Sequence, residues 1–329
     1  MKDTEDTKVK VKRIYREKFN GDVYNFHCTP SENYFSHDIL VHNCYKSNGG
    51  DQPTHNMTFE EFKTIFHKVN EKRVLTQIAF GIMNISTNPD FFKMMEYTKE
   101  RGVIPNFTCH GIDMTKEIAE KIAKLCGAVA VSIVNKEKSY DAIKLLVNEG
   151  MKQINIHYML SKETYEKAFK IVRDIEIDPK LKGLNAIVFL QYKAKGRNPN
   201  KFSSVLDVKK YQRLTSFCEQ RKVNYGFDSC SAPIYLASIE NHSNREQLEM
   251  CVEPCESFGM FSSYINSFGF YFPCSFCEGE EGWKEGFDVL NCDSFVKDIW
   301  FSDKISYWRQ RMIENKRNCP IFDLKVIRS

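Results

Sequence analysis

Between residues 77 and 191 the chain alternates short apolar-rich runs with amphipathic stretches that open on capping residues. The runs Gln77 to Ile82, Asn106 to Cys109, Ala128 to Val134, Gln153 to Tyr158 and Asn185 to Gln191 are expected strands. Thr58-Phe-Glu-Glu61 spells a capping box, and Asn88-Pro89 puts Pro in a first helical turn with Gly102 as stop. Further helix starts fall near Thr115, Ser139 and Lys162, with stops at Gly127 and Gly150. Strands and helices alternating at about 25 residues predict βα units and a parallel sheet, open or barrel-like.

Alternate residues of a strand fall on opposite faces. One parity carries Ile78/Phe80/Ile82, Phe107, Val129/Val131/Ile133, Ile154/Ile156 and Ala186/Val188/Leu190, a face suited to helices. The other carries Gln77/Ala79/Gly81, Asn106/Thr108/His110, Ala128/Ala130/Ser132, Gln153/Asn155/His157 and Asn185/Ile187/Phe189/Gln191. Packing on both faces would demand apolar residues on both, and a closed barrel fills with bulky branched ones. Small and polar side chains repeated over five strands predict a ligand cavity.

The ends of the chain read differently. Val9 to Tyr15 and Val23 to Cys28 alternate apolar and polar around the turn Phe19-Asn-Gly-Asp22, a β segment too small to close a core alone. Residues 47–56 are a loop by composition. Of 12 cysteines, Cys218, Cys230, Cys251, Cys255, Cys274, Cys277, Cys292 and Cys319 crowd the last third, which marks a metal-bearing module. Cys109, Cys126 and Cys218 sit on strand or helix faces and read as buried apolar thiols.

The length of 329 residues allows roughly two domains, and 42% hydrophobic with 27% charged residues excludes disorder. Lys+Arg 47 against Asp+Glu 43 leaves a scattered excess of +4, which gives no charge argument for nucleic acid. Met1 to Lys8 is charged where a signal peptide needs an apolar stretch, and the run 127–134 is too short to span a bilayer. A cytoplasmic location without membrane contact is expected, where thiols serve metals or catalysis rather than disulfides.

Val23 to Cys44, with apolar Ile39-Leu-Val41 before His42-Asn43 and Cys44, resembles the C-terminal end of an intein of the Hint family. The resemblance implies that the Asn43 side chain attacks its own backbone carbonyl and cuts the bond to Cys44, with His42 moving a proton. The Cys44 thiolate would accept an acyl group and pass it to its own α-amine. Asn25 stands where many relatives have Asp, and Glu32 where many have His. The N-terminal intein blocks are not in this sequence, so a split intein with a separate partner chain is expected.

The chain from Cys44-Tyr45 onward resembles a radical S-adenosylmethionine enzyme cut inside its CxxxCxxC loop. Cys44 would be the third thiolate of a [4Fe-4S] cluster, and the partner chain would bring CxxxCxx. Gln77 to Asn84 sits where relatives have a Gly-Gly-Glu-Pro turn; Gly81 is kept and the Glu is not. Phe107-Thr-Cys-His-Gly111 is similar to the family's third strand and turn, and Ser132, Asn155 and His157 fall where cofactor-facing residues lie. Cys255, thirteen residues, Gly269, four residues, Cys274 fits the opening of an auxiliary-cluster domain of the SPASM or twitch type, with Cys230, Cys251 and Cys319 as further thiols.

The expected fold is α/β, in three parts. A small β-rich intein segment (1–43) precedes a parallel (β/α) partial barrel lacking its first strand (44–226), and a Cys-rich α+β auxiliary domain (227–329) comes last. Expected cofactors are the completed [4Fe-4S] cluster, an auxiliary [4Fe-4S] cluster and S-adenosylmethionine, with a peptide or protein substrate. The alternative is a zinc-binding βα protein with an intein relic, acting in binding.

Overall fold

The computed structural model describes residues 33–36, 39–42, 55–82, 85–195, 202–322 and 326. Within the first segment, β1 (Asn33–Ser36) and β2 (Ile39–His42) form an antiparallel hairpin with Asn33 opposite His42. The strands expected at Val9 to Tyr15 and Val23 to Cys28, and the residues Asn43 and Cys44, lie outside the described residues.

Helix α1 (Phe59–Val69) starts on the capping box: Thr58 Oγ1 accepts from the Glu61 amide, and Glu61 Oε2 accepts from the Thr58 amide at 2.7 Å. Next come β3 (Gln77–Gly81), α2 (Phe91–Glu100), β4 (Ile104–Cys109), α3 (Lys116–Leu125), β5 (Ala128–Ser132) and α4 (Lys136–Asn148). The series continues with β6 (Ile154–Leu160), α5 (Tyr165–Ile177), β7 (Ala186–Gln191), α6 (Val208–Gln220) and β8 (Tyr225–Phe227). Strands β3 to β8 form one six-stranded parallel sheet in sequence order, as βα units require. The result is an α/β partial barrel with β3 on one edge. Phe107, Val131, Ile154, Ile156 and Phe189 of the strands meet Met95, Ile122, Ile143 and Leu214 of the helices in its core.

The rest of the described chain is smaller and irregular. It runs through α7 (Ala232–Ser238), α8 (Arg245–Leu248), β9 (Tyr264–Ile265), β10 (Phe270–Phe272), β11 (Phe287–Asp288), a π-helical turn (Phe295–Trp300) and α9 (Asp303–Glu314). A second core of Tyr271, Phe272, Trp283, Phe295, Ile305 and Met312 holds it together. Helix α1 joins the two parts: Ile65 enters this second core, and Lys68 Nζ donates to the Leu290 and Cys292 carbonyls at 2.7 and 2.6 Å.

Four expectations are corrected. Helix α2 begins at Phe91 and not at Pro89, because the Asn88 side chain accepts from the Asp90 amide and donates to the Met57 carbonyl, holding a turn there. Helix α4 begins after Asn135, whose side chain caps the Lys138 amide, so Ser139 is interior. Strand β8 with its preceding helix α6 adds a sixth βα unit. In β7 the parity is reversed: Ile187 and Phe189 are fully buried on the helix side, while Ala186 and Val188 stand in register with Asn155 and His157.

Candidate functional site

Because paired residues of a parallel ladder share a face, the register lays out the inner surface of the sheet in rows. Gly81, Thr108, Ala130, Asn155 and Ala186 make one row across five strands. Ser132, His157, Val188 and Gly226 make the next, toward the strands' C-terminal ends. Sequence reasoning named Gly81, Ser132, Asn155 and His157 separately, and the structure brings all four to this one face. A Cβ built on Gly81 would meet nothing within 4 Å, so that residue borders open space. Asn155 Oδ1 accepts from Asn185 at 2.9 Å. Burial pushes the pKa of His157 down to about 4, with the Asp228 charge pulling the other way, so its ring is neutral near pH 7.

The upper rim of β4 and β5 is tied down by contacts with no local sequence signature. Ser139 Oγ is within 3.1 Å of the His110 carbonyl and 3.2 Å of the Ser132 carbonyl. Gly111 comes next with φ +75°, and a Cβ there would lie 2.5 Å from Ala142 Cβ. Asp113 Oδ2 accepts from the Ile85 amide at 2.6 Å, linking the rim to the segment after β3.

Past the ends of β7 and β8 stands a buried ion pair that sequence reasoning missed. Lys193 Nζ lies 3.1 Å from Asp228 Oδ2, with side-chain exposures of 3% and 18%. Asp228 Oδ1 accepts from the amides of Gln191 (3.0 Å) and Ser231 (3.1 Å) and from Ser231 Oγ (2.7 Å). Burial works against the Lys193 charge, but Asp228 and Cys230 outweigh it and hold its pKa above the ordinary lysine value. The ammonium also sits 4.2 Å from the centroid of Phe276, a cation–π contact.

Phe276 belongs to the thiol-bearing loop. Cys274 lies within electrostatic reach of Cys230, Cys255 and Cys319, and Cys255 also feels Cys319. Burial pushes the Cys230 thiol up to about 12, opposed by Lys193; burial likewise raises Cys255 and Cys274. The Phe276 amide donates to Cys274 Sγ at 3.5 Å and the Phe322 amide to Cys319 Sγ at 3.3 Å. Arg317 anchors the approach to Cys319 by donating to the Cys255 and Pro254 carbonyls. Two amides aimed at sulfur are donors that favour thiolates, the form that binds iron or zinc.

Cys251, expected with this group, is placed elsewhere. Its thiol faces Tyr235 and Tyr225, and it lines a groove with Asn185 and Asn224 at the N-terminal ends of β7 and β8. Cys230 comes after the opposite end of β8. Cys277 donates to the Cys274 carbonyl at 2.9 Å. Cys109, Cys126 and Cys218 are thiols that burial pushes up to about 12, inert in the apolar core. Among the described residues no three His, Cys, Asp or Glu side chains converge as a single-ion site. His42 ends β2, and Cys44, proposed from sequence for two roles, lies outside the described residues.

No family model matches the chain, and no curated protein matches it. Solved structures do. Streptococcus suis SuiB bound to the precursor peptide SuiA is similar with a TM-score of 0.61 and 16% identity, over 80% of this chain and 61% of that one. The chain shares its fold. SuiB bound to S-adenosylmethionine gives a TM-score of 0.54 at 16% identity over 74% of this chain and 58% of that one. Native anSMEcpe with bound AdoMet gives 0.51 at 16% over 77% and 74%. This chain thus spans about three fifths of the SuiB chain's length. Among its described residues no helix is long and apolar enough to cross a membrane.

Proposed function

We propose that residues 44–329 form the larger part of a radical S-adenosylmethionine enzyme acting on a peptide, released by splicing at the Asn43–Cys44 bond. The observation that carries this reading is the grouping of Cys230, Cys255, Cys274 and Cys319. It stands beside the C-terminal ends of a parallel sheet whose inner face is small and polar, the end at which such sheets bind ligands. The ligands named for the similar structures, S-adenosylmethionine and a peptide, support the same assignment.

Gly81 would offer backbone groups to the cofactor; Ser132, Asn155 and His157 would hydrogen-bond it, the last as a neutral ring. Cys44, with two thiolates from CxxxCxx outside these 329 residues, would hold the [4Fe-4S] cluster that binds S-adenosylmethionine. Cys230, Cys255, Cys274 and Cys319 fit an auxiliary [4Fe-4S] cluster: four thiolates with amide donors on two of the sulfurs. Cys251, facing tyrosines, is left out of that set. When bound, clusters and cofactor supply radical chemistry, and the chain's part is to hold, orient and exclude water.

In the segment 1–43, the hairpin of β1 and β2 ends at His42, immediately before Asn43 and Cys44 in the sequence, which supports the splicing reading. Asn43 would close on its own carbonyl and release Cys44, whose thiol takes the incoming acyl group and passes it to the α-amine. The N-terminal intein blocks would come from outside these 329 residues. Supplied with them, the 329-residue chain should lose residues 1–43, and Asn43→Ala should stall before release. Release at the normal rate from Asn43→Ala, seen by mass spectrometry, would remove the cyclisation role.

Iron and sulfide analysis after anaerobic reconstitution tests the auxiliary site. Roughly four irons and four sulfides per chain are expected from a four-thiolate cluster. Zinc without sulfide would favour the binding-protein alternative.

A further inference from the structure

We propose that Lys193 is a positioning residue for the auxiliary cluster: its buried ammonium, held between Asp228, Cys230 and the Phe276 ring, sets how readily the four-thiolate group accepts an electron. The inference rests on the reading of Cys230, Cys255, Cys274 and Cys319 as ligands. Lysine is almost never this buried without a reason, since its charge must be compensated. The compensation at hand is lopsided. Asp228 already accepts from two amides and the Ser231 hydroxyl, which spread its charge before Lys193 draws on it.

An ammonium has three donors. One meets Asp228, and the cation lies over the ring of Phe276, two residues after Cys274. The Cys230 sulfur is close enough to act on its charge as well. The neighbouring Lys195 is committed to the Glu278 carbonyl and Glu280. Lys193 therefore brings fixed positive charge to the sulfur side of the ion pair.

The chemistry needed is one electron from an external reductant such as dithionite, with no covalent bond made or broken. That electron leaves the cluster one unit more negative, and a cation against a ligand sulfur favours the more negative state. Removing the cation makes reduction harder. Removing the carboxylate that offsets it makes reduction easier. A residue that only filled space would move neither.

The test is a redox titration followed by electron paramagnetic resonance on the anaerobically reconstituted 329-residue chain. This chain holds Cys44 with no CxxxCxx segment leading into it, so the auxiliary cluster gives the signal. At the midpoint of the unsubstituted protein, Lys193→Met should lower the ratio of reduced to oxidised cluster roughly tenfold. Lys193→Arg should keep the midpoint, and Asp228→Asn should shift it the opposite way. If Lys193→Met fails to retain iron, the Asp228→Asn direction decides, and an unmoved midpoint there overturns the proposal. A Lys193→Met protein with full iron and sulfide and an unchanged midpoint overturns it outright. Failure of the unsubstituted chain to take up iron and sulfide overturns the ligand reading together with the role built on it.

Discussion

Replacing His157 by Asn should remove part of the protein's acid sensitivity. The ring lies on the inner face of β6 in register with Ser132 and Val188, and burial lowers its pKa from the ordinary 6.5 to about 4. In the unfolded chain the imidazole takes up its proton around pH 6.5; in the folded chain it does so only near pH 4. Between those values the unfolded state binds more protons, so the contribution of neutral His157 is fully present above pH 6.5 and is lost as pH falls through 4. Between pH 8 and pH 5 the linkage integral amounts to about 2 kcal/mol, an upper figure because the ring is partly open to solvent. Urea unfolding of both proteins at pH 8, 6.5 and 5 measures this as a difference of pH slopes, which cancels every other titrating group. The unsubstituted protein should lose about 2 kcal/mol more than His157→Asn over that range. Parallel pH profiles would refute a desolvated inner face at β6.

Two further substitutions probe the supports of the site. Asp228→Ala leaves the Lys193 ammonium buried without its carboxylate and should cost about 3–5 kcal/mol in urea unfolding, whereas Lys193→Met, whose side chain can still lie on Phe276, should cost clearly less. Gly111→Ala places a methyl 2.5 Å from Ala142 Cβ at φ +75° and should destabilise by about 1–3 kcal/mol, read as a lower thermal midpoint.

Much of the barrel was legible because β3 to β6 carry their bulky apolar residues on one parity and small or polar ones on the other. In β7 that contrast fails: Ala186, Val188 and Leu190 are as apolar as Ile187 and Phe189, so periodicity leaves the face open and packing decides it. Strand β8 is only Tyr225–Phe227, too short to show a period, and exists through its pairing with β7. Thr58 and Thr115 marked helix starts correctly because each caps an amide three residues on. Asn88 and Ser139 misled because their side chains serve tertiary contacts and cap no helix start. The thiol loop announced itself by spacing. The Lys193–Asp228 pair did not, since a contact between residues 35 apart leaves no local pattern.

The most direct test of the central claim is formation of 5′-deoxyadenosine from S-adenosylmethionine by the spliced product, carrying CxxxCxx ahead of Cys44, under anaerobic conditions with dithionite. The account predicts the nucleoside from the reconstituted product. It also predicts a loss to background when Cys44 is replaced by Ser in the joined product, because a hydroxyl is a poor ligand for thiolate-preferring iron. No 5′-deoxyadenosine from a product with full iron and sulfide, or equal formation by the Cys44→Ser product, would contradict it.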